Sequence, residues 1–203
     1  MPADHPEPTR VLLVRHGQSA WNAEGRWQGH ADPPLSPLGV QQAVAAADSV
    51  GAVDAVVASD LQRASTTAAL IADRLGVGPV RCEPRLRERD AGEWTGLTRA
   101  DIDAQWPGYL ADGRRPSGFE LDDAILGRIL EALAALHQKH PGGRVLAVAH
   151  GGVIRALERQ FGIDDGLVPN LGGRIVDVHE HWLTPGERLV LVGGDQLTAP
   201  QQL

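Results

Sequence analysis

The stretch Arg144-Val145-Leu146-Ala147-Val148-Ala149-His150-Gly151-Gly152 decides the fold, and Arg10-Val11-Leu12-Leu13-Val14-Arg15-His16-Gly17 repeats its logic near the other end of the chain. Each is a short apolar run without polar alternation that ends in histidine followed by glycine. Runs of this length and composition are strands buried on both faces, as in a parallel sheet covered by helices. Working outward, Ser36-Pro37 starts a helix, with proline where a missing N–H costs nothing. Val40, Ala43, Val44 and Ala47 form its inward stripe, and Gly51 ends it. A second strand follows at 55–58, and Leu61, Ala64, Ala68, Ile71 and Leu75 recur at helical spacing until Gly76. A third short strand is expected at 80–83 and a short helix at 98–105. The polar, Gly- and Pro-containing segment 108–118 reads as a surface loop or part of a cap. A long helix with Leu126, Ile129, Leu130 and Leu133 inward closes at Pro141-Gly142-Gly143. After the second His-Gly, a helix over 153–161 and late strands at 175–178 and 189–192 complete the pattern. Strands alternating with helices imply an α/β fold of three layers, a mostly parallel central sheet flanked by helices. The expected organisation is a disordered tail over 1–9, a single domain over 10–193 with a loop or cap region at 85–120 over the site, and a C-terminal tail over 194–203.

Composition narrows the function. The chain has 203 residues, 42% hydrophobic and 22% charged, enough to bury a substantial core in one domain. With 19 Lys+Arg against 26 Asp+Glu the net charge is −7, which argues against broad binding of nucleic acid or an anionic membrane. An anionic ligand must therefore be met locally; Lys139 is the only lysine, a skew toward arginine that reads as base-composition drift unless the arginines stand where chemistry needs a planar, permanently charged fork. The single Cys82 excludes an internal disulfide framework and a multi-cysteine zinc site. Absence of a long apolar run and of a signal-peptide pattern in 1–9 makes the cytoplasm the default address. There is no P-loop and no dinucleotide fingerprint.

Ligands of open α/β sheets collect beyond the carboxyl ends of the strands, so His16 and His150 are delivered to one rim. The strand at 55–58 arrives there too, ending at Ser59-Asp60, with Arg63 in the first turn of the next helix. Two imidazoles, the guanidinium groups of Arg15 and Arg63, and helix N-termini around one point make a site for a phosphate. Flanking arginines also disfavour imidazolium, which keeps a histidine neutral and nucleophilic.

The blocks Arg15-His16-Gly17-Gln18-Ser19 with Trp21-Asn22, Ser59-Asp60-Leu61-Gln62-Arg63-Ala64, Leu86-Arg87-Glu88 with Gly92, Trp94 and Gly96, and Ala149-His150-Gly151 resemble the histidine phosphatase superfamily. The resemblance is to the branch that contains cofactor-dependent phosphoglycerate mutases and their phosphatase relatives, and it runs from about Arg10 to Val192. It implies a phosphoglycerate mutase-like fold and a phosphohistidine mechanism, with His16 as nucleophile and Arg15, Arg63 and His150 neutralising the phosphoryl oxygens. By the same resemblance Glu88 is the general acid and then base, Asn22, Gln28, Gly29 and Gly151 line the phosphate pocket, and neither metal nor cofactor is needed. The chain departs from the family pattern at Gln18, usually glutamate, and at Ala91, usually a large apolar residue.

Within that resemblance a phosphatase is expected, a histidine acid phosphatase-type phosphomonoester hydrolase acting on a small phosphorylated metabolite. The insertion between Glu88 and His150 is shorter than in the glycolytic mutases, and their tyrosine-containing block is absent, so the site is more open and favours hydrolysis. Arg114-Arg115 lies in the segment where those mutases carry a carboxylate-gripping arginine pair; it is a candidate for binding a second anionic group of the substrate, or else a solvated loop. The alternatives are mutase-type phosphoryl transfer and a non-catalytic module that binds a phosphorylated ligand or a protein. Trp21, Trp27 and Trp94 are expected to pack rather than to bind substrate. His179 and His181, two apart on an expected strand, are weak metal candidates, and His137 and His140 are expected at the terminal carbonyls of their helix. Oligomeric state is not readable from the sequence.

Overall fold

The computed structural model describes residues 7–198. A six-stranded sheet runs in the order β3-β2-β4-β1-β5-β6, with β1 at Thr9–Arg15, β2 at Ala55–Ala58, β3 at Arg81–Cys82, β4 at Arg144–Ala149, β5 at Gly172–Val178 and β6 at Leu183–Val190. The pairs β3/β2, β2/β4 and β4/β1 are parallel, and β1/β5 and β5/β6 are antiparallel. The central strands β1 and β4 are buried almost throughout, which is why they read as continuous apolar runs rather than alternating ones.

Helices α2 (Pro37–Val50) and α3 (Gln62–Leu75) cover one face, packing Ala46, Val50, Ala68 and Ile71 against Leu12, Val14, Leu146 and Val148. Helices α5 (Asp122–Lys139) and α6 (Gly151–Gln160) cover the other, packing Ile129, Leu133, Val153 and Leu157 against Val11, Leu13, Val145 and Ala147. A third, smaller cluster of Ala91, Trp94 and Ile102, joined by Trp27, Trp106, Tyr109 and Phe119, lies in the region between β3 and α5 and includes α4 (Arg99–Gln105). The single-turn α1 (Ala20–Ala23) follows β1 directly, closed by a capping box between Ser19 and Asn22.

The three-layer α/β architecture agrees with the sequence reading, but several faces differ. In α2 the buried stripe is Gly39, Ala43, Ala46, Ala47 and Val50, whereas Val40 and Val44 are exposed. Glycine is needed at position 39 because the chain passes so close: a Cβ on Gly39 would overlap the Gln18 carbonyl oxygen, and a Cβ on Gly17 would lie 2.6 Å from the Gly39 carbonyl oxygen. Leu130 of α5 likewise points outward, and Ile125, Ile129, Ala132, Leu133 and Leu136 carry the contact.

The first residues are also not wholly a tail. Residues 1–6 and 199–203 lie outside the described residues, but Thr9 is fully buried, and its hydroxyl donates to the His140 carbonyl and bonds His137 Nδ1. His137 therefore serves a tertiary contact and not its own helix terminus. Near the other end, the Thr198 hydroxyl donates to Asn170 Oδ1, and Gln42 Nε2 donates to the Gln196 carbonyl, so residues 196–198 dock on the domain. His179 stacks on Trp182 at 4.6 Å and His181 pairs with Glu180 in the turn between β5 and β6, not on a strand, so the shared face expected of a metal pair is missing.

Candidate active site

Strand order places the two histidines side by side. β4 lies between β1 and β2 although it comes after both in sequence, Arg15 pairs with Ala149 across the parallel ladder, and the His16 amide donates to the Ala149 carbonyl at 3.0 Å. The imidazole rings of His16 and His150 meet edge to face with centroids 5.1 Å apart, both essentially buried. Ser59 at the end of β2 is tied to the same rim, its amide donating to the Val148 carbonyl. From there α3 brings in Arg63, completely buried.

His16 is oriented by its own backbone. Nδ1 lies 2.6 Å from the Gly17 carbonyl oxygen, which can only accept, so Nδ1 carries the proton and Nε2 keeps its lone pair. The histidine's carbonyl is held in turn by Asn170 Nδ2 at 2.9 Å. Burial, followed by the charges of Arg63 and Arg15, holds the His16 imidazole well below the usual histidine range. His150 is depressed the same way, by burial first and then by Arg63, His16 and Arg15. Both imidazoles are neutral at physiological pH.

The guanidinium groups are anchored at one end and free at the other. Arg63 donates from Nη1 to the Ala31 carbonyl and from Nη2 to the Gly29 carbonyl, and Arg15 donates from Nη1 to the Val168 carbonyl. Among the described residues, Arg15 Nε, Arg63 Nε and both His150 ring nitrogens are buried without a hydrogen-bond partner. Burial lowers both arginines to about 10, with the Glu88 charge opposing it in each case, so both remain cations. Buried polar groups are nearly always satisfied in native proteins, and four unsatisfied nitrogens around one histidine fit an anion with several acceptor oxygens.

Glu88 enters from the irregular segment after β3. Its carboxylate accepts from the Arg89 amide at 2.8 Å and from the Gly152 amide, in the first turn of α6, at 3.2 Å. The neighbouring arginines are engaged elsewhere, Arg87 with Asp60 and Arg89 with Asp122, so Glu88 is not consumed in a salt bridge. Arg15, Gln28, Gly29, Glu88 and Gly151 line one cleft of about 620 Å³. Backbone placement of Glu88 depends on Arg128 of α5, which donates to the carbonyls of Arg85, Arg87 and Glu88 while pairing with Glu120.

Other residues expected from the sequence divide. The Gln28 side chain accepts from the Ser19 hydroxyl and is buried at the cleft, and Asn22 is buried in the capping box with its Oδ1 3.4 Å from Asn170 Nδ2. Gly17 does not present its amide to a ligand, because that N–H donates to the Thr67 hydroxyl; glycine is required there by the approach of Gly39. Arg114 lies away from the cleft, stacked 4.1 Å over Tyr109 and paired with exposed Asp112, while Arg115 lines an adjoining cleft. Trp94 is fully buried and packs edge to face with Trp27, as expected, but Trp27 is only partly buried and also lines the cleft. Asn170, Thr67 and Arg128 were not singled out in the sequence. Only the run Pro169-Asn170-Leu171-Gly172, a turn in which Leu171 takes a φ of 56°, hinted at a constrained position.

Known proteins resemble this chain in sequence and in fold. The chain is 39% identical over 161 residues to a metal-independent phosphoserine phosphatase of Arabidopsis thaliana, covering 74% of this chain and 68% of that one. It is 42% identical over 163 residues to a glucosyl-3-phosphoglycerate phosphatase of Mycobacterium tuberculosis, covering 73% of each. The structure superposes on a mycobacterial glucosyl-3-phosphoglycerate phosphatase in complex with VO3 with a TM-score of 0.79 at 33% identity, over 87% of this chain and 97% of that one. The family model of the histidine phosphatase superfamily, branch 1, matches residues 11–172, and with the paired histidines and arginines in place at the strand ends, this chain belongs to that superfamily.

Proposed function

We propose that this phosphatase hydrolyses small phosphomonoesters, histidine acid phosphatase-type in its chemistry, through a phosphohistidine on His16. The observation that carries the reading is the fixed tautomer of His16, with Nδ1 held by the Gly17 carbonyl and Nε2 left as a neutral nucleophile among buried cationic and polar groups. Nε2 attacks phosphorus, the N–P bond forms, and the ester P–O bond breaks opposite it. Arg15, Arg63 and neutral His150 bind the equatorial oxygens, where preorganised charge does most of the work. Glu88, protonated, gives its proton to the departing alkoxide. As carboxylate it then takes a proton from the water that attacks phosphorus, the N–P bond breaks, and inorganic phosphate leaves with His16 regenerated. Asn22, Gln28, Gly29 and the Gly151 amide complete the pocket. The named activities of the relatives support a small phosphorylated substrate.

The test is a phosphomonoester panel with a rapid quench in alkaline detergent, conditions in which phosphohistidine survives. Phosphate label on wild type that is lost in His16→Ala, together with phosphate release from 3-phosphoglycerate exceeding its isomerisation, is the expected result. Full turnover by His16→Ala, or isomerisation without net hydrolysis, refutes it.

A further inference from the structure

The strand β1 ends one residue before the candidate nucleophile, and the turn ahead of β5 takes over from the sheet. Arg15, the last residue of β1, accepts the Leu171 amide at its carbonyl, 3.1 Å, and donates from Nη1 to the Val168 carbonyl, 2.8 Å. The His16 carbonyl, just beyond the strand, accepts instead from a side chain, Asn170 Nδ2 at 2.9 Å. Residues of the turn 168–171 thus hold two consecutive residues at the centre of the site. Leu171 takes a φ of 56° in doing so, a left-handed conformation that a residue other than glycine keeps only where its surroundings enforce it.

The direction of the Asn170 amide is set by a chain of hydrogen bonds that all run one way. The Gln18 amide donates to Gln42 Oε1 at 2.7 Å, so Gln42 Nε2 is the end that donates, to the Gln196 carbonyl and to Thr198 Oγ1. The Thr198 hydroxyl, an acceptor there, spends its proton on Asn170 Oδ1 at 2.9 Å. Asn170 therefore turns Nδ2 toward His16, with Asn22 Oδ1 as a second acceptor at 3.4 Å. Its backbone amide donates to the Thr198 carbonyl at 2.8 Å, which pins the turn to the same segment. Gln42 and Asn170 are 0% and 1% exposed, and a buried polar chain whose members satisfy one another specifies a single arrangement.

What this chain grips is the peptide group between His16 and Gly17. Asn170 holds its carbonyl, and its N–H donates to Thr67 Oγ1 at 3.1 Å. With both ends held, the peptide plane is fixed, and the next carbonyl, that of Gly17, is presented to His16 Nδ1 at 2.6 Å. That bond sets the tautomer and leaves Nε2 oriented for attack. We propose that Asn170 is a positioning residue for the candidate nucleophile, clamping the His16–Gly17 peptide group and directed onto it by Thr198 and Gln42, a role that rests on the hydrolytic reading above.

The experiment follows p-nitrophenyl phosphate cleavage by wild type, Asn170→Ala, Thr198→Val and Thr198→Ser, with thermal melting of each. With enzyme in excess, release of p-nitrophenolate reads attack on phosphorus, because that leaving group needs no proton. In Asn170→Ala this rate is expected to fall about 30-fold while KM stays within about three-fold, the split of a group that serves the transition state. Thr198→Val, which frees the amide to turn, loses about five-fold, the order of one neutral hydrogen bond, whereas Thr198→Ser keeps the hydroxyl and stays within about two-fold. A residue that served only the fold would lower the melting temperature and leave the rate unchanged well below it. A rate for folded Asn170→Ala within about two-fold of wild type therefore overturns the positioning role while leaving hydrolysis intact. If Asn170→Ala does not fold, the Thr198 pair decides: Thr198→Val slower than Thr198→Ser sustains the role, and equal rates overturn it. Absence of cleavage by wild type overturns the hydrolytic reading, and the positioning role with it.

Discussion

Gly152→Ala separates the geometry of Glu88 from the stability of the fold. Gly152 is the second residue of α6, has an ordinary helical φ, and its amide donates to Glu88 Oε2. A Cβ there would overlap Glu88 Oε1 and lie 3.2 Å from the carboxylate carbon and 3.5 Å from Arg89 Cβ. The obstacle is the end of a flexible side chain, so the helix has no need to move. Instead the carboxylate retreats by about 1 Å to reach ordinary contact distance, and its bond to the Gly152 amide is lost. Alanine in place of glycine near a helix start raises stability by up to about 1 kcal/mol, so the melting temperature should stay level or rise slightly. General acid catalysis contributes about 10²–10⁴-fold, and a displacement of about 1 Å forfeits about 10²-fold of such an effect. Steady-state assays should therefore show kcat falling about 30- to 100-fold for an alkyl phosphate, whose leaving alkoxide needs a proton. For p-nitrophenyl phosphate, whose leaving group does not, the fall should be less than about five-fold. Equal losses on the two substrates would mean that Cβ disturbs the phosphate pocket rather than the acid. Unchanged turnover of the alkyl phosphate would show that Glu88 has no part in protonating the leaving group.

The depressed imidazoles predict a pH signature. Burial and the nearby arginines stabilise neutral His16 and His150, so the acid limb of kcat/KM should lie below the ordinary histidine value of about 6.5; a limb at about 6.5 that follows His16 in an NMR titration would contradict this. The unfolded chain takes up these two protons on falling below 6.5 while the folded chain does not. Stability should accordingly drop by about 1 kcal/mol per histidine per pH unit in that range, read as a shift in the urea midpoint, and a midpoint that does not move between pH 7 and 5.5 would oppose it. Arg128→Met removes donors to three carbonyls of the Glu88 segment and leaves Glu120 unpaired, so unfolding free energy should fall by about 3 kcal/mol. kcat for alkyl phosphates should fall with it, and a stable variant with normal kcat would remove Arg128 as a positioning residue.

Elements and their order were legible because β1 and β4, buried on both faces, must be uniformly apolar, and because Ser36-Pro37 and Gly76 carry start and stop signals that act locally. His16, His150, Arg15 and Arg63 were legible for the same reason, since each stands at or just beyond the end of such an element. Which face of α2 turns inward was not legible, because Val40 and Val44 obey helical spacing as well as Ala43 and Ala47 do. The choice between them was made by the contact of Gly17 and Gly39, a meeting of backbones 22 positions apart that leaves no periodic trace.

The sequence by itself determined an α/β fold and which histidines and arginines stand at the ends of its strands and helices, because strand burial and helix termini act on neighbouring residues. Tertiary structure alone decided what those residues can do. Inserting β4 between β1 and β2 brings two histidines from positions 16 and 150 to 5.1 Å, and burial at that junction keeps both neutral. Asn170 and Arg128 reach the His16 and Glu88 backbone only because loops and helices remote in sequence converge on that junction. The charges of Arg15 and Arg63 beside the histidines were legible along the chain, but desolvation, the larger cause of the depressed imidazoles, arises from burial at that junction, and no spacing encodes it.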